Sequence, residues 1–324
     1  MHFTLNSTSP PPVKQRRALF YRDFRAFSGG HLKVWDYFQH VAALPNWTAR
    51  IAFSAESKWD ATNPWIRARE TVDPWYPATA DLLFLAGTDW RVLSPAQQQN
   101  PPAPIINLIQ HPRHAEKGSE VRSFLKHRAI RICVSEEVAS AIKATGEVNG
   151  PVFVIPNGVD GSSLPAVKET AERSTDLLIC GLKAPDLARL AYSHFAGKNR
   201  NVRWLIEWIP REDYLERLVD ARITLFLPRP SEGFYLPALE GMGCGTVVIC
   251  PDCVGNRSFC FDGTNCLRPA HESKAILAAV DQALQQTESE RTAMVAQAQS
   301  TFRAHSLAQE RAGFYKILDQ IDEL

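Results

Sequence analysis

The sequence predicts an α/β protein built from two doubly wound halves in series. Along most of its 324 residues, short apolar runs alternate with helix-like segments, which is the pattern of a parallel sheet covered by crossover helices. The alternation breaks in a cluster of turn-forming residues from Pro156 to Ser163. The length also favours two domains. We therefore predict domains at residues 1–158 and 159–305, followed by a C-terminal helix at 306–324.

The predicted strands of the first half are short, apolar and bounded by polar or turn-forming residues. They are Arg17 to Tyr21, Ala49 to Phe53, Leu82 to Ala86, Ile105 to Ile109, Ile130 to Val134 and Val152 to Ile155. The predicted helices are Gly30 to Val41, Val121 to Ala129 and Glu136 to Thr145.

The second half repeats this alternation and then becomes helical. Its predicted strands are Leu177 to Cys180, Arg203 to Ile206, Ile223 to Leu227 and Thr246 to Cys250. Its predicted helices are Ala184 to Phe195, Arg211 to Ala221 and Leu236 to Met242. From His271 to Leu324, apolar residues recur near the helical period.

The charge balance gives no general attraction for polyanions. Lys and Arg together number 36, Asp and Glu 35, and the net charge is +1, so nucleic acid is not an expected partner. The first thirty residues lack the continuous apolar stretch of a secretory signal. The longest apolar runs also fall short of the roughly 20 residues that cross a bilayer. We predict a cytoplasmic protein that is at most peripheral at the inner membrane face.

Seven cysteines are present, an odd number in a chain large enough to fold without disulfides. Some of them, such as Cys133, lie in strand-like apolar runs, which indicates reduced thiols. A Cys-x-x-Cys at Cys250 and Cys253, followed by Cys260 and Cys266, leaves structural zinc as an alternative. Zinc ribbons usually present two close cysteine pairs, and this run has only one.

The segment from Pro228 to Ile249 carries the most chemical information. A strand ends at Pro228, Gly233 lets the backbone approach a ligand closely, and Pro237 suits the first turn of a helix. A helix N-terminus therefore follows the carboxyl end of a strand, where parallel sheets bind ligands and free N–H groups favour a diphosphate. Glu240 lies about one turn into this helix and can reach the same pocket. Its carboxylate only accepts hydrogen bonds, which suits the paired hydroxyls of a ribose.

Residues 230–245 resemble a family signature. They read Pro-Ser-Glu-Gly-Phe-Tyr-Leu-Pro-Ala-Leu-Glu-Gly-Met-Gly-Cys-Gly, with seven residues between Glu232 and Glu240, and are similar to retaining GT-B glycosyltransferases of family 4 (glycosyl transferases group 1). The loops at 254–257 and 262–267 and the link at 154–160 resemble further parts of that family. The resemblance implies two Rossmann-like domains facing each other across a cleft, with the C-terminal helix crossing back to the first domain.

The resemblance also implies site residues. In this family the second glutamate binds the nucleotide ribose and the first contacts the donor sugar, which gives these roles to Glu240 and Glu232. The backbone after the first glutamate holds sugar or phosphate. These backbone positions are Gly233, Phe234, Tyr235 and Leu236.

Three further candidates follow predicted strands. Lys183 is the candidate for neutralising the leaving phosphate, where the family usually has a basic pair and this chain offers one base. Gly30, in Phe-Ser-Gly-Gly-His, resembles the glycine-rich loop near the phosphates and acceptor. His111 lies just past a strand end, where the family often has a histidine touching the donor sugar.

Basic residues are frequent between Arg113 and Arg131. Such a run is either a solvated face or a surface for an anionic acceptor or lipid headgroups, which would give peripheral membrane contact. The basic residues are Arg113, Lys117, Arg122, Lys126, Arg128 and Arg131.

The resemblance implies a function, namely transfer of a sugar from a nucleotide-diphosphate sugar to a hydroxyl of a glycan, lipid-linked or small-molecule acceptor, as in polysaccharide biosynthesis. The chain has no Asp-x-Asp to clamp a metal on the diphosphate, so no cofactor or metal is expected. It also lacks GxxxxGK[ST] and GxGxxG, which argues against P-loop NTPases and Rossmann dehydrogenases. Two alternatives stay open: a non-catalytic sugar-nucleotide or glycan binding protein, and another GT-B enzyme such as an epimerase.

Overall fold

The structure is a computed structural model that describes residues 15–197 and 199–323. The chain divides into two compact units. The first comprises the described residues up to Leu85 together with Asp89–Ile106. The second comprises Ala86–Thr88 and the described residues from Asn107 onward.

Strands and helices alternate through both predicted halves. The strands are β1 (Arg16–Arg22), β2 (Trp47–Phe53), β3 (Leu82–Ala86), β4 (Ile105–Ile109), β5 (Ile130–Cys133), β6 (Val152–Val154), β7 (Thr175–Cys180), β8 (Val202–Leu205), β9 (Ala221–Phe226) and β10 (Val247–Ile249). The α-helices are α1 (Gly29–Ala42), α2 (Pro95–Gln99), α3 (Glu120–Ser123), α4 (Glu136–Lys143), α5 (Pro185–Phe195), α6 (Arg211–Val219), α7 (Leu236–Gly243), α8 (Ser273–Gln285), α9 (Glu288–Ala304) and α10 (Leu307–Leu318).

The strands form two sheets, which confirms the predicted α/β class. The six-stranded sheet has the order β2-β1-β3-β4-β5-β6, and the four-stranded sheet has the order β10-β9-β7-β8. The strand pairs β1–β2, β1–β3 and β5–β6 are parallel, as are the pairs that β7 and β10 make. Parallel strands place their carboxyl ends at one edge, so the loops after β7, β8 and β9 share an edge.

Apolar side chains from strands and crossover helices fill the interior. In the first unit, the rings of Phe20 and Phe84 stack with their centroids 4.6 Å apart, and Tyr37 of α1 packs on Phe84 at 5.3 Å. In the second unit, α5 contributes Phe195 to a core that includes Leu225 of β9. Each buried side chain of this size contributes on the order of 1.5–3 kcal/mol.

Most predicted elements are confirmed within a few residues, but the helix predicted over Val121 to Ala129 is wrong. The segment contains only the short α3 and a 3-10 turn at Phe124–Lys126. Arg131 explains the difference, because its Nη2 contacts the carbonyl oxygens of Phe124, Leu125 and His127. Carbonyls turned toward a guanidinium cannot propagate a helical hydrogen-bond ladder.

The helical character predicted for the C-terminal region is confirmed by α8, α9 and α10. Buried Glu310 of α10 accepts a hydrogen bond at 2.7 Å from the backbone N–H of Gly158. Gly313 lies against Ile155. Helix α10 therefore packs on the segment that follows β6, and the domain boundaries given above stay a prediction.

Within the described ranges, no helix is both long and apolar enough to cross a membrane.

Candidate functional site

The loop between β9 and α7 carries most of the candidate residues. Helix α7 begins at Leu236, directly before Pro237, whose missing N–H costs nothing in a first helical turn. The helix ends where Gly245 takes a φ of +70°, a left-handed conformation that glycine adopts without steric cost. The predicted strand, loop and helix order of this segment is confirmed.

Gly233 approaches the protein's own backbone, which sequence reasoning did not foresee. A Cβ on Gly233 would lie 1.9 Å from the carbonyl oxygen of Gln110 and 2.8 Å from Cα of His111. The Ser135 hydroxyl also donates to the Gly233 carbonyl at 3.4 Å. A side chain at position 233 would therefore push apart the loops that follow β4 and β9, whatever the ligand.

Two backbone donors at the start of α7 have no acceptor in the described part of the chain. Within the residues that the structure describes, the N–H groups of Gly233 and Phe234 make no hydrogen bond, whereas the Tyr235 N–H bonds the Gly255 carbonyl at 2.8 Å. Both residues are buried. Unpaired buried N–H groups are uncommon in folded proteins. They are suitable donors for an anionic or hydroxyl-bearing ligand.

The side chains of this loop pack into the second unit. The Phe234 ring lies 5.0 Å from that of Phe259, and the Tyr235 ring is buried and meets Phe226 edge-on. Leu236 is half-buried at the first position of α7. Their contribution to a ligand site therefore comes mainly from the backbone.

Glu232 and Lys183 form an ion pair. The Lys183 Nζ lies 2.7 Å from Glu232 Oε1 and 5.6 Å above the Tyr235 ring. The side chains are 41% and 14% exposed, so the pair is open to solvent on the lysine side. The structure thus brings together two residues that the sequence assigned to one site from separate motifs.

His111 belongs to the same group of residues. Its Nδ1 accepts a hydrogen bond at 3.0 Å from the Arg113 N–H and caps the short 3-10 turn that follows, which fixes the imidazole tautomer with a hydrogen on Nε2. Burial and the nearby Arg113 charge lower the pKa of His111, while Glu232 acts in the opposite direction. The ring is neutral at pH 7 and can present an Nε2–H donor.

Glu240 is buried and paired. Only 5% of the residue is exposed, and its Oε1 lies 2.6 Å from Nη1 of Arg211, the first residue of α6. Burial raises the pKa of Glu240, and the charge and hydrogen bond of Arg211 lower it. The Tyr214 hydroxyl is buried without a hydrogen-bond partner in the described part of the chain, and the Glu240 charge contributes to raising its pKa.

Gly30 lies in the first unit, in the first turn of α1. The adjacent His31 is the centre of a polar cluster: its Nδ1 is contacted by the Arg22 guanidinium at 3.0 Å, and Arg22 pairs with Asp89 at 2.6 Å. Burial and the Arg22 charge lower the pKa of His31 to about 3. The imidazole is therefore neutral and carries its hydrogen on Nε2.

The predicted basic surface between Arg113 and Arg131 is smaller than the sequence suggested. Arg131 is fully buried and bonds Asn107, and Arg122 is paired with Glu147 at 2.8 Å. The Arg131 part of this prediction is wrong, because the guanidinium satisfies carbonyl groups instead of facing solvent. Four basic residues of the run are exposed, namely Arg113, Lys117, Lys126 and Arg128.

The cysteines of the suggested zinc motif are buried free thiols. Among the described residues, no group of three or more His, Cys, Asp or Glu side chains is arranged to hold a metal ion. Asn256 donates to Cys250 Sγ at 3.2 Å and to the Pro251 carbonyl at 2.9 Å. The Cys250 sulfur and the Pro251 carbonyl therefore have hydrogen-bond partners within the loop.

Residues 162–286 match the family model described as glycosyl transferases group 1. This range holds the four-stranded sheet, the Lys183–Glu232 pair and the Arg211–Glu240 pair. No protein with curated annotation matches the sequence.

Solved structures with a similar fold cover nearly the whole chain. Anabaena HepE in complex with UDP-glucose has a TM-score of 0.74 at 13% identity, over 94% of this chain and 100% of its own. Sucrose-phosphate synthase from Thermosynechococcus elongatus has a TM-score of 0.71 at 11% identity, over 95% and 100%. The apo lipopolysaccharide outer core galactosyltransferase WaaB has a TM-score of 0.68 at 13% identity, over 95% and 99%. These likenesses confirm the GT-B fold.

Sequence reasoning missed three residues of this region: Arg211, Tyr214 and Ser135. Arg211 and Tyr214 are one turn apart on α6, which begins at the carboxyl edge that α7 also faces. The position of Arg211 after a strand end was the available signal for a basic partner of Glu240. Nothing in the sequence pairs Ser135 with Gly233, which lies 98 positions away.

Proposed function

We propose that this protein is a retaining glycosyltransferase that moves a sugar from a nucleotide-diphosphate sugar to an acceptor hydroxyl. The main support is the arrangement at the start of α7: the backbone N–H groups of Gly233 and Phe234, which are unpaired among the described residues, follow Glu232, and Glu232 is paired with Lys183. A helix N-terminus, free N–H groups and a lysine are groups that bind a diphosphate. Two proteins that share the fold support the same donor class: HepE was solved in complex with UDP-glucose, and WaaB is a galactosyltransferase.

In this proposal each residue has one task. Glu240 binds the ribose hydroxyls, and Glu232 binds hydroxyls of the donor sugar. Lys183 and the N–H groups after Glu232 stabilise the negative charge on the departing diphosphate, which is where a transferase of this kind needs stabilisation. The neutral His111 donates from Nε2 to the donor sugar. No side chain has to act as a nucleophile, because orientation and charge stabilisation account for the chemistry.

The acceptor is proposed only by class, as a glycan, lipid-linked or small-molecule hydroxyl. The exposed basic residues between 113 and 128 favour an acceptor that carries negative charge. We also propose that the reaction needs no metal, since the diphosphate charge is met by Lys183 and backbone donors.

The test is turnover of UDP, GDP and dTDP sugars, with and without EDTA. We expect one donor to stabilise the protein against thermal unfolding and to be converted to free nucleoside diphosphate at an EDTA-independent rate. NMR of the product should show the anomeric configuration of the donor. Glu240→Gln should fold normally and lose at least tenfold in nucleotide affinity. A thermal shift without product would instead indicate a binding protein, and an isomerised donor would indicate an epimerase.

A further inference from the structure

Glu240 occupies an environment that disfavours its charge. The residue is 5% exposed, and burial raises the pKa of its carboxyl. A protonated carboxyl loses part of its accepting capacity and becomes a donor. Two ribose hydroxyls, each with a hydrogen to donate, are best bound by the ionised form. Ribose binding at this position therefore requires something that keeps Glu240 ionised.

Arg211 is placed to keep Glu240 ionised. Its Nη1 lies 2.6 Å from Glu240 Oε1, and the Arg211 side chain is 36% exposed. The contact uses one carboxylate oxygen, which leaves Oε2 and the remaining lone pairs for a ligand. A cation at this distance from a desolvated carboxylate favours the ionised form and fixes the rotamer.

We propose that Arg211 is a positioning residue that holds Glu240 ionised and oriented for the ribose of a nucleoside diphosphate. This rests on the proposed function, because it assigns the nucleoside end of the same site. Arg211 acts through Glu240 and is not a catalytic residue.

The other titratable groups facing Glu240 stay neutral near pH 7. Tyr214, on α6, has a pKa well above 10 because it is buried. Burial also raises the thiol pKa of Cys180, on β7, and that of Cys244, after α7, to about 12 in the latter case. A pH effect on ribose binding between about pH 6.5 and 8.5 therefore reports on Glu240 itself.

The experiment compares nucleotide affinity across pH in matched variants. The probe is the nucleoside diphosphate, among UDP, GDP and dTDP, that binds the wild-type protein, measured by calorimetry from pH 6.5 to 8.5. Each result is the dissociation constant of the variant divided by that of the wild type at the same pH. Titration of the nucleotide's phosphate groups and of the protein's histidines affects the variant and the wild type equally, so it cancels in this ratio.

In Arg211→Gln, the pKa of Glu240 rises further, and protonation competes with ribose binding. The ratio should increase as the pH falls, by about tenfold per pH unit once the pH is below that pKa. Arg211→Lys keeps a cation and should give a nearly flat ratio close to one. Glu240→Gln, alone or combined with Arg211→Gln, should weaken binding to the same extent at every pH.

Three results would overturn the inference. They are a pH-independent ratio in Arg211→Gln, a sloping ratio in Arg211→Lys, and a slope that persists when Glu240→Gln is added. A flat loss accompanied by a lower melting temperature would mean that Arg211 is only structural. If the wild-type protein bound no nucleoside diphosphate, with ADP included in the panel, the proposed function itself would fail, and this inference with it.

Discussion

At the scale of single residues, the candidate site consists of charges that already neutralise one another. Lys183 is paired with Glu232, and Arg211 with Glu240, at 2.7 and 2.6 Å. A diphosphate that binds Lys183 must compete with Glu232 for it. The hydroxyl groups of the donor sugar can donate hydrogen bonds to Glu232 when Lys183 binds the diphosphate. A complete nucleotide sugar therefore supplies a new partner to Lys183 and to Glu232 at the same time.

Lys183→Met tests the lysine. The pair is partly exposed, so its loss should change the free energy of unfolding by less than about 1 kcal/mol. Turnover should fall about 100-fold, because one group that stabilises the leaving diphosphate is removed. Lys168→Met is the matched control: Lys168 also makes an ion pair, with Asp220 at 3.1 Å, and its side chain is 38% exposed against 41% for Lys183. Equal turnover in the two variants would contradict the role of Lys183.

The sequence predicted most residues of the candidate site but few of the contacts between them. Glu232, Glu240 and the loop after Glu232 were identified because their spacing is distinctive, and Lys183 and His111 because they follow strand ends. Arg211 was missed since an arginine in the first turn of a helix is common. Its significance comes from the burial of Glu240, which is a property of the folded chain.

At the scale of elements, the loop after β9 is held by direct backbone packing. Gly233 lies on the Gln110–His111 backbone, and a Cβ at Gly255 would lie 2.8 Å from the Glu232 carbonyl oxygen. Backbone atoms cannot rotate away as a flexible side chain can. The positions of Glu232 and of the Gly233 and Phe234 N–H groups therefore depend on three loops at once.

Gly233→Ala should disrupt this packing. The added methyl group would sit 1.9 Å from the Gln110 carbonyl oxygen, so the loops must separate at a cost of about 1–3 kcal/mol. We expect a lower melting temperature by calorimetry and loss of nucleotide binding. At Gly161 the same methyl group would meet Phe302 at 3.5 Å, an ordinary contact, so Gly161→Ala should melt like the wild type. A Gly233→Ala protein as stable as Gly161→Ala would show that the packing is loose.

The predicted strands and helices agree with the structure where the local sequence pattern determines the secondary structure. The prediction failed where a side chain from outside the segment determines it. Buried parallel strands such as β3 and β4 are continuous apolar runs, and both were predicted with their observed bounds. The helix predicted over Val121 to Ala129 has a helical pattern too. It is interrupted because Arg131 binds its carbonyls. Arg131 lies inside the predicted strand Ile130 to Val134, but the sequence does not show which groups its buried guanidinium binds.

At the scale of the whole molecule, each unit contains a histidine that folding keeps neutral. His31 belongs to the first unit and His114 to the second, and burial lowers the pKa of both to about 3. Unfolded histidine has a pKa of about 6.5. Between these values the unfolded chain binds protons that the native state does not, so stability is present above about pH 6.5 and is lost as the pH falls.

The expected loss is about 1.4 kcal/mol per pH unit for each histidine. Urea unfolding at pH 7.5 and 5.0 should show the wild-type protein less stable at the lower pH. His31→Gln should reduce this difference by roughly 2 kcal/mol, whereas His194→Gln, at an exposed histidine, should leave it unchanged. An unchanged pH dependence in His31→Gln would mean that His31 is protonated in the folded protein.

The contact between Glu310 and the Gly158 backbone N–H has a consequence for the order of biosynthesis. It joins positions 152 residues apart, and it cannot form until a ribosome has translated the codon for Glu310. The first unit ends at residue 106, so it is synthesised long before helix α10. Until α10 has been synthesised, the segment around Ile155 and Gly158 lacks this partner, and the nascent chain exposes the apolar surface that α10 later covers. This is the interval in which chaperones would be needed.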